Sequence, residues 1–164
     1  MTGQRIFQAC PRVFPISDAI APRDLSTPTD VHDLVVAFYR EVVFDDLLEP
    51  VFGEVAEVDW AEHIPRLIAY WQRIIFGSVD YGGTVTATHR HLHTLEAIRP
   101  EHCERWYALW VRCVRSEWSG PNAEHAVRHA ELVMAGLARR VFGYEWAPPA
   151  ASILDAGAAL GGAP

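Results

Sequence analysis

Apolar residues recur with a period of 3.6 in four long segments, and Gly or Pro residues separate most of these segments. Such stripes predict amphipathic helices, and no stretch shows a convincing strand pattern. The sequence therefore predicts an all-α chain. The predicted helices run from Asp30, taken as an N-cap, to about Phe44, from Asp59 to Gly77, from Pro100 to about Trp118, and from Pro121 to about Phe142.

Length and charge narrow the class of protein further. The 164 residues suffice for one domain with a sizeable core. We predict an irregular N-terminal arm over 1–28, a helical domain over 29–146 and a mobile Ala/Gly/Pro tail over 147–164. The net charge of −7 argues against nucleic-acid and anionic-membrane partners, since both need a basic face. Without a spanning apolar run or a signal-peptide pattern, the expected location is cytoplasmic.

A cluster of three histidines lies between the second and third predicted helices, in the stretch 86–93. On a strand, His89, His91 and His93 would share one face and could bind zinc. On a helix, His89 and His93 share a face while His91 points away. An exposed polar turn is the third interpretation. Because the stretch is short and rich in Thr, we do not expect a long regular helix there.

Motifs for other helical metal sites are missing. No histidine has Glu three residues before it, which excludes the Glu-x-x-His pattern of di-iron bundles. Neither H-E-x-x-H, G-x-S-x-G nor a phosphate loop occurs. A haem b site needs one axial imidazole, a flat apolar slot and a polar group on the far side. The candidate walls of such a slot are Phe52, Leu67, Trp71, Trp106 and Trp110.

Seven blocks in continuous order, spanning roughly residues 30–142, resemble the group III truncated haemoglobins. The resemblance implies a two-over-two helical sandwich around haem b (iron protoporphyrin IX), with the first globin helix reduced or lost. The blocks are AFYREV (37–42), LEPVF (48–52), DWAEHIPRLIAYW (59–71), GSVDYGG (77–83), HRHLH (89–93), HCERWYALW (102–110) and GPNAE (120–124).

The resemblance also implies a role for individual residues. His89 matches the proximal iron ligand, with His93 as the runner-up. Tyr39, His63 and Trp106 match the polar distal residues that would act on bound ligand. A core role for Tyr39 or Trp106 is the alternative in each case.

The remaining positions of the resemblance concern the porphyrin itself. Phe52 matches the aromatic residue that stacks on the ring. Arg66 occupies a position from which a haem propionate can be reached, although Arg90 or Arg105 could serve instead. Trp110 has core packing as its alternative role.

The expected function is binding of dioxygen, nitric oxide or carbon monoxide at a five-coordinate iron, with redox chemistry on the bound ligand. Oxidation of nitric oxide and handling of peroxide are the candidate reactions, and a reductase is the expected electron donor. A haem-based carrier or sensor without turnover is one alternative. A zinc protein using His89, His91 and His93 and a cofactor-free interaction bundle are the others.

Overall fold

The computed structural model describes residues 23–77 and 85–149. Most of the predicted N-terminal arm (1–22), the predicted turn at Tyr81-Gly82-Gly83 and the tail from 150 onwards lie outside the described residues. The described residues form five α-helices: α1 (Pro28–Val42), α2 (Trp60–Phe76), α3 (Val85–Leu95), α4 (Pro100–Glu117) and α5 (Pro121–Leu137). Two π-helical turns, Pro50–Val55 and Ala138–Phe142, follow α1 and α5.

Local signals account for most helix ends. Asp59 caps α2 by accepting hydrogen bonds from the backbone N–H groups of the first turn, as predicted. Gly77 ends α2 with φ of 68°, a conformation that favours glycine. Pro100 and Pro121 stand in the first turns of α4 and α5, where a missing N–H costs nothing.

The predicted N-cap of α1 was wrong. Thr27, not Asp30, caps this helix, and Asp30 is the third helical residue of a capping box. The Thr27 hydroxyl accepts from the Asp30 N–H at 3.2 Å, while the Asp30 carboxylate accepts from the Thr27 N–H at 2.8 Å. Pro28 fits the first helical position, so the helix starts three residues earlier than an N-cap at Asp30 would place it.

The histidine stretch forms a regular helix, α3, of 11 residues, where the sequence predicted no long regular helix. This helix forms although its Thr residues have low intrinsic helix propensity. At its C-terminal end, the Thr94 hydroxyl donates to the His91 carbonyl at 2.6 Å, and the Ile98 N–H donates to the His93 ring just beyond the helix.

The helices pack as two layers. α1 pairs with α2, α4 pairs with α5, and the pairs cross with α1 on α4 and α2 on α5. This is the predicted two-over-two arrangement. α3 contacts chiefly the second π-helical turn. The core between the layers is built from fully buried residues, among them Leu34, Phe38, Val42, Trp110 and Val114.

The described part of the predicted N-terminal arm, 23–27, packs on the domain. Leu25 is fully buried, and Arg23 forms an isolated β-bridge with Trp118. Apart from that bridge, residues 23–77 and 85–149 contain no β-structure. No helix among the described residues has both the length and the apolar composition to span a bilayer.

Candidate functional site

His89 has one ring nitrogen engaged by its own helix. Its Nδ1 lies 2.7 Å from the carbonyl oxygen of Val85, one turn earlier in α3. A carbonyl only accepts, so Nδ1 must carry the hydrogen. In the neutral ring, the lone pair then lies on Nε2. Burial lowers the pKa of His89, against the opposing effect of this hydrogen bond, and so favours the neutral form that can ligate a metal.

The helix that carries His89 contains no fully buried residue. Val85, His89 and Leu92 are half-buried and share one face through their i, i+4, i+7 spacing. Val85 and Leu92 pack against the edge of the hydrophobic core without being enclosed by it. The face of α3 that carries His89 is therefore only partly covered by protein.

His63 lies on α2 and is half-buried. Burial lowers the pKa of His63 most, and electrostatic interactions with Arg66 and His89 lower it further. The interaction with His89 agrees with a position of the α2 and α3 histidines in the same part of the domain.

Aromatic rings surround His63. The Tyr39 ring lies 6.1 Å from His63, 5.7 Å from Trp60 and 6.2 Å from Phe52, measured between centroids. Phe52 and Trp60 stack at 6.0 Å with an interplanar angle of 22°. The first π-helical turn carries Phe52, α1 carries Tyr39 and α2 carries the other two, so three elements converge here. Phe52, Trp60 and His63 remain half-buried, which leaves ring surface for a flat apolar partner.

Trp106 lies on α4, beside this cluster. Its ring packs edge-on against Phe38 at 5.2 Å, and Phe38 in turn contacts Tyr39 at 4.8 Å. Trp106 is half-buried. Leu67, on α2, is half-buried as well. Both side chains pack against the edge of the hydrophobic core.

Trp71 and Trp110 occupy core positions. Trp110 is 0% exposed, stacks on Trp71 at 4.1 Å and donates its indole N–H to the Ala126 carbonyl at 3.2 Å. Trp71 is 3% exposed and also contacts His129. Protein atoms cover both rings, as the core-packing alternative expects, and the assignment of Trp71 and Trp110 to cofactor binding stays a prediction.

No protein-family model matches the chain, and no curated protein matches it. A crystal structure of a group III truncated hemoglobin from Campylobacter jejuni superposes with a TM-score of 0.64. The sequences are 20% identical, and the match covers 73% of this chain and 94% of the other. The chain has a truncated-globin fold. The predicted all-α, two-over-two fold class is therefore confirmed.

The alternative of a zinc site is wrong. α3 is helical, so His89, His91 and His93 cannot share one face, and His91 is exposed. In residues 23–77 and 85–149, no three His, Cys, Asp or Glu side chains are grouped closely enough to hold a metal ion.

His93, the runner-up ligand, has another role. Its Nδ1 accepts a hydrogen bond from the Ile98 N–H at 3.0 Å, so in the neutral ring Nε2 carries the hydrogen and has no lone pair for a metal. The ring packs against Phe142 at 5.2 Å. His93 thus connects the end of α3 to the α3–α4 loop by a hydrogen bond and to the second π-helical turn by a ring contact.

The arginines lie at the surface. Arg66 is exposed and forms an ion pair with Glu62, one turn earlier in α2. Arg105 pairs with Asp45 at 2.7 Å, and Arg90 is exposed on α3. Arg66 follows His63 by three residues in α2, and its charge lowers the pKa of His63.

Two site features escaped sequence reasoning. Trp60 contacts Tyr39, Phe52 and His63, yet the sequence alone assigned it no role beyond its place in the block 59–71. The spacing of Trp60, three residues before His63, was the available signal. The Val85 carbonyl carries no side-chain signal at all, because any residue at that position offers the same acceptor.

Proposed function

We propose that this truncated globin is a haem b protein that binds a diatomic gas at an iron held by His89. The observation that carries the proposal is the His89–Val85 hydrogen bond, which leaves Nε2 as the lone-pair nitrogen of a half-buried ring. The shared fold with a protein described as a hemoglobin supports the same proposal.

The surrounding residues fit a porphyrin. A flat apolar macrocycle needs aromatic and aliphatic surface on both faces, and half-buried Phe52, Trp60 and Leu67 offer it between α2 and the corner after α1. Val85 and Leu92 offer it on the α3 side. Arg66 at the surface is the proposed partner of a propionate, in competition with its ion pair to Glu62.

Bound haem would supply an iron with an open position for dioxygen, nitric oxide or carbon monoxide. The chain's own residues would tune what happens there. Tyr39 has a phenol O–H, Trp106 an indole N–H, and His63 a ring N–H in one tautomer. Each hydrogen bond to a partly charged ligand is worth roughly 1.5–3 kcal/mol. The lowered pKa of His63 keeps its ring neutral near pH 7.

Strong retention of the ligand favours chemistry on bound ligand over transport. We therefore infer a redox function, such as oxidation of nitric oxide or removal of peroxide, with a reductase as the electron donor. The cytoplasmic location expected from the sequence stays a prediction. Steady turnover with a chemical reductant would separate this function from that of a carrier or sensor.

The test is the absorption spectrum of the full chain titrated with haemin, then reduced and exposed to carbon monoxide. We expect stoichiometric binding and a strong Soret band in the wild type. His89→Gly should lose the spectrum of a histidine-ligated haem and recover it when free imidazole is added. His93→Ala is the matched control on the same helix and should retain the wild-type spectrum. Haemin that fails to bind, or a His89→Gly variant that binds it unchanged, would refute the proposal.

A further inference from the structure

A row of aromatic rings leads from Trp106 away from the site. The Trp106 and Trp110 rings are nearly parallel, at 7°, with centroids 6.0 Å apart. Trp110 stacks on Trp71 at 4.1 Å, and Trp71 meets Tyr70 edge-on at 5.4 Å. Each ring is thus close to the next, through the core formed by α4 and α2.

The outer end of this row is a hydrogen-bonded tyrosine–histidine pair. The Tyr70 Oη lies 2.6 Å from Nε2 of His129 on α5. Both side chains are half-buried, and His129 borders a surface depression whose described lining also includes His125 and Leu132. A small molecule can therefore approach the pair from solvent.

We propose that the row Trp106–Trp110–Trp71–Tyr70 conducts single electrons, and that the Tyr70–His129 pair is a redox-active site that takes electrons from small phenols. The role of the inner end of the row depends on the proposed haem site, whereas the role of the Tyr70–His129 pair does not. Its function would be to reduce the iron site, one electron at a time, after reaction with hydrogen peroxide.

The proton acceptors of Trp110 and Tyr70 explain why an electron vacancy would stop at Tyr70. The Trp110 N–H donates to the Ala126 carbonyl, which is too weak a base to take the proton. An oxidised Trp110 therefore keeps its proton and recovers an electron from Trp71. Tyr70 instead has an imidazole as acceptor. When the phenol gives an electron to oxidised Trp71, its proton moves to Nε2 of His129, which leaves a neutral phenoxyl radical beside an imidazolium.

The overall reaction balances with two passages along the row. One hydrogen peroxide takes up two electrons and two protons, its O–O bond breaks, and two water molecules form. Two phenol molecules each supply one electron and one proton and leave as phenoxyl radicals. The phenoxyl radical at Tyr70 is restored to the phenol after each passage, with the proton returned from His129.

The first experiment needs no haem. In the haem-free full chain, azide radicals generated by pulse radiolysis oxidise tryptophan, and transient absorption follows the passage of the vacancy from indole to phenol. In Tyr70→Phe, we expect the main phase of phenoxyl-radical formation to be about tenfold slower or to be absent. His129→Asn should slow the same phase and abolish its slowing in D₂O, while circular dichroism verifies the fold of each variant.

Tyr107→Phe is the matched control. Tyr107 lies 5.5 Å from Trp146, almost the same centroid distance as Tyr70 from Trp71, and stands outside the row. The Tyr107→Phe variant should show the main phase of phenoxyl-radical formation at the wild-type rate. A Tyr70→Phe variant with wild-type kinetics, or a phase lost in Tyr107→Phe instead, would overturn the proposal.

The second experiment addresses the inner end. Haemin-loaded protein is mixed with hydrogen peroxide, frozen rapidly and examined by electron paramagnetic resonance. A tyrosyl radical signal that is present in wild type and absent in Tyr70→Phe supports electron transfer along the row. If haem-loaded wild type and haem-loaded Tyr70→Phe give the same signal, the assignment of the inner end of the row is refuted. Failure to load haemin would refute the proposed function, and the haem-free kinetics would then decide the Tyr70–His129 site alone.

Discussion

The tryptophans of α2 and α4 form two pairs with opposite surroundings. Trp71 and Trp110, the core pair, are 3% and 0% exposed and stack at 4.1 Å. Trp60 and Trp106, the site pair, are half-buried beside Tyr39 and Phe38. Each helix contributes one member to each pair, within a single apolar stripe. Helical periodicity therefore identifies the inward face but does not distinguish close packing from the lining of a ligand space.

The largest effect should come from the core pair. Trp110→Ala removes a ring enclosed by protein on every side and leaves the Ala126 carbonyl without its donor. We expect a loss of about 3–5 kcal/mol in the free energy of unfolding. Urea unfolding of the haem-free chain measures it. A loss no larger than that of Trp60→Ala would break the distinction between the pairs.

Tyr39 tests whether a buried residue can still belong to the site region. Tyr39→Phe keeps the ring and its contacts with Trp60 and His63 but removes the hydroxyl. In haem-loaded ferrous protein, dioxygen should dissociate roughly tenfold to a hundredfold faster, corresponding to about 1.5–3 kcal/mol. Stopped-flow mixing with carbon monoxide measures the rate. Tyr107→Phe, a buried tyrosine elsewhere, should not change it; an unchanged rate in Tyr39→Phe would exclude the donor role.

Buried Asp30, at the start of α1, is a second packed position at which the comparison can be tested. Burial raises the pKa of Asp30, but hydrogen bonds from Arg23, Thr27 and Ser26 outweigh it and hold that pKa at about 2. Because the folded-state value lies below the unfolded one, this stabilisation is present above about pH 4 and is lost as pH falls towards 2. Asp30→Asn should cost about 1–2 kcal/mol at pH 7 through the weakened capping box.

The measurement is urea unfolding of Asp30→Asn between pH 2 and pH 7, in which we expect a flatter stability profile than in wild type. Asp33→Asn changes an exposed carboxylate on the same helix and serves as the control. An equal effect of both variants would contradict the assignment of the cap to Thr27 and Asp30.

The smallest effect on stability is expected at the site pair. Trp60→Ala removes a half-buried ring, and we expect a loss of about 1 kcal/mol in the haem-free chain. Haemin affinity, measured by competition with apomyoglobin, should fall more clearly. A stability loss comparable to that of Trp110→Ala would place Trp60 in the core.

Sequence reasoning succeeded where the signal is local. Asp59, Gly77 and the prolines at 100 and 121 set helix ends by backbone chemistry that neighbours cannot easily alter. It was less successful at α3, which is a regular helix although its Thr residues have low helix propensity. It also did not distinguish the buried Trp71 and Trp110 from the half-buried Trp60, because burial depends on which helix packs opposite and a single apolar stripe does not encode that.

The contact between His89 and Val85 joins two residues of one helical turn. The choice of which imidazole nitrogen presents its lone pair is therefore made within α3 and requires no other element of the domain. Changes to loops, to the opposite layer or to surface charge leave this contact within α3 in place. The turn is in this sense a transferable unit, and other helices in which a His side chain donates to the carbonyl four residues earlier would present the same ring nitrogen.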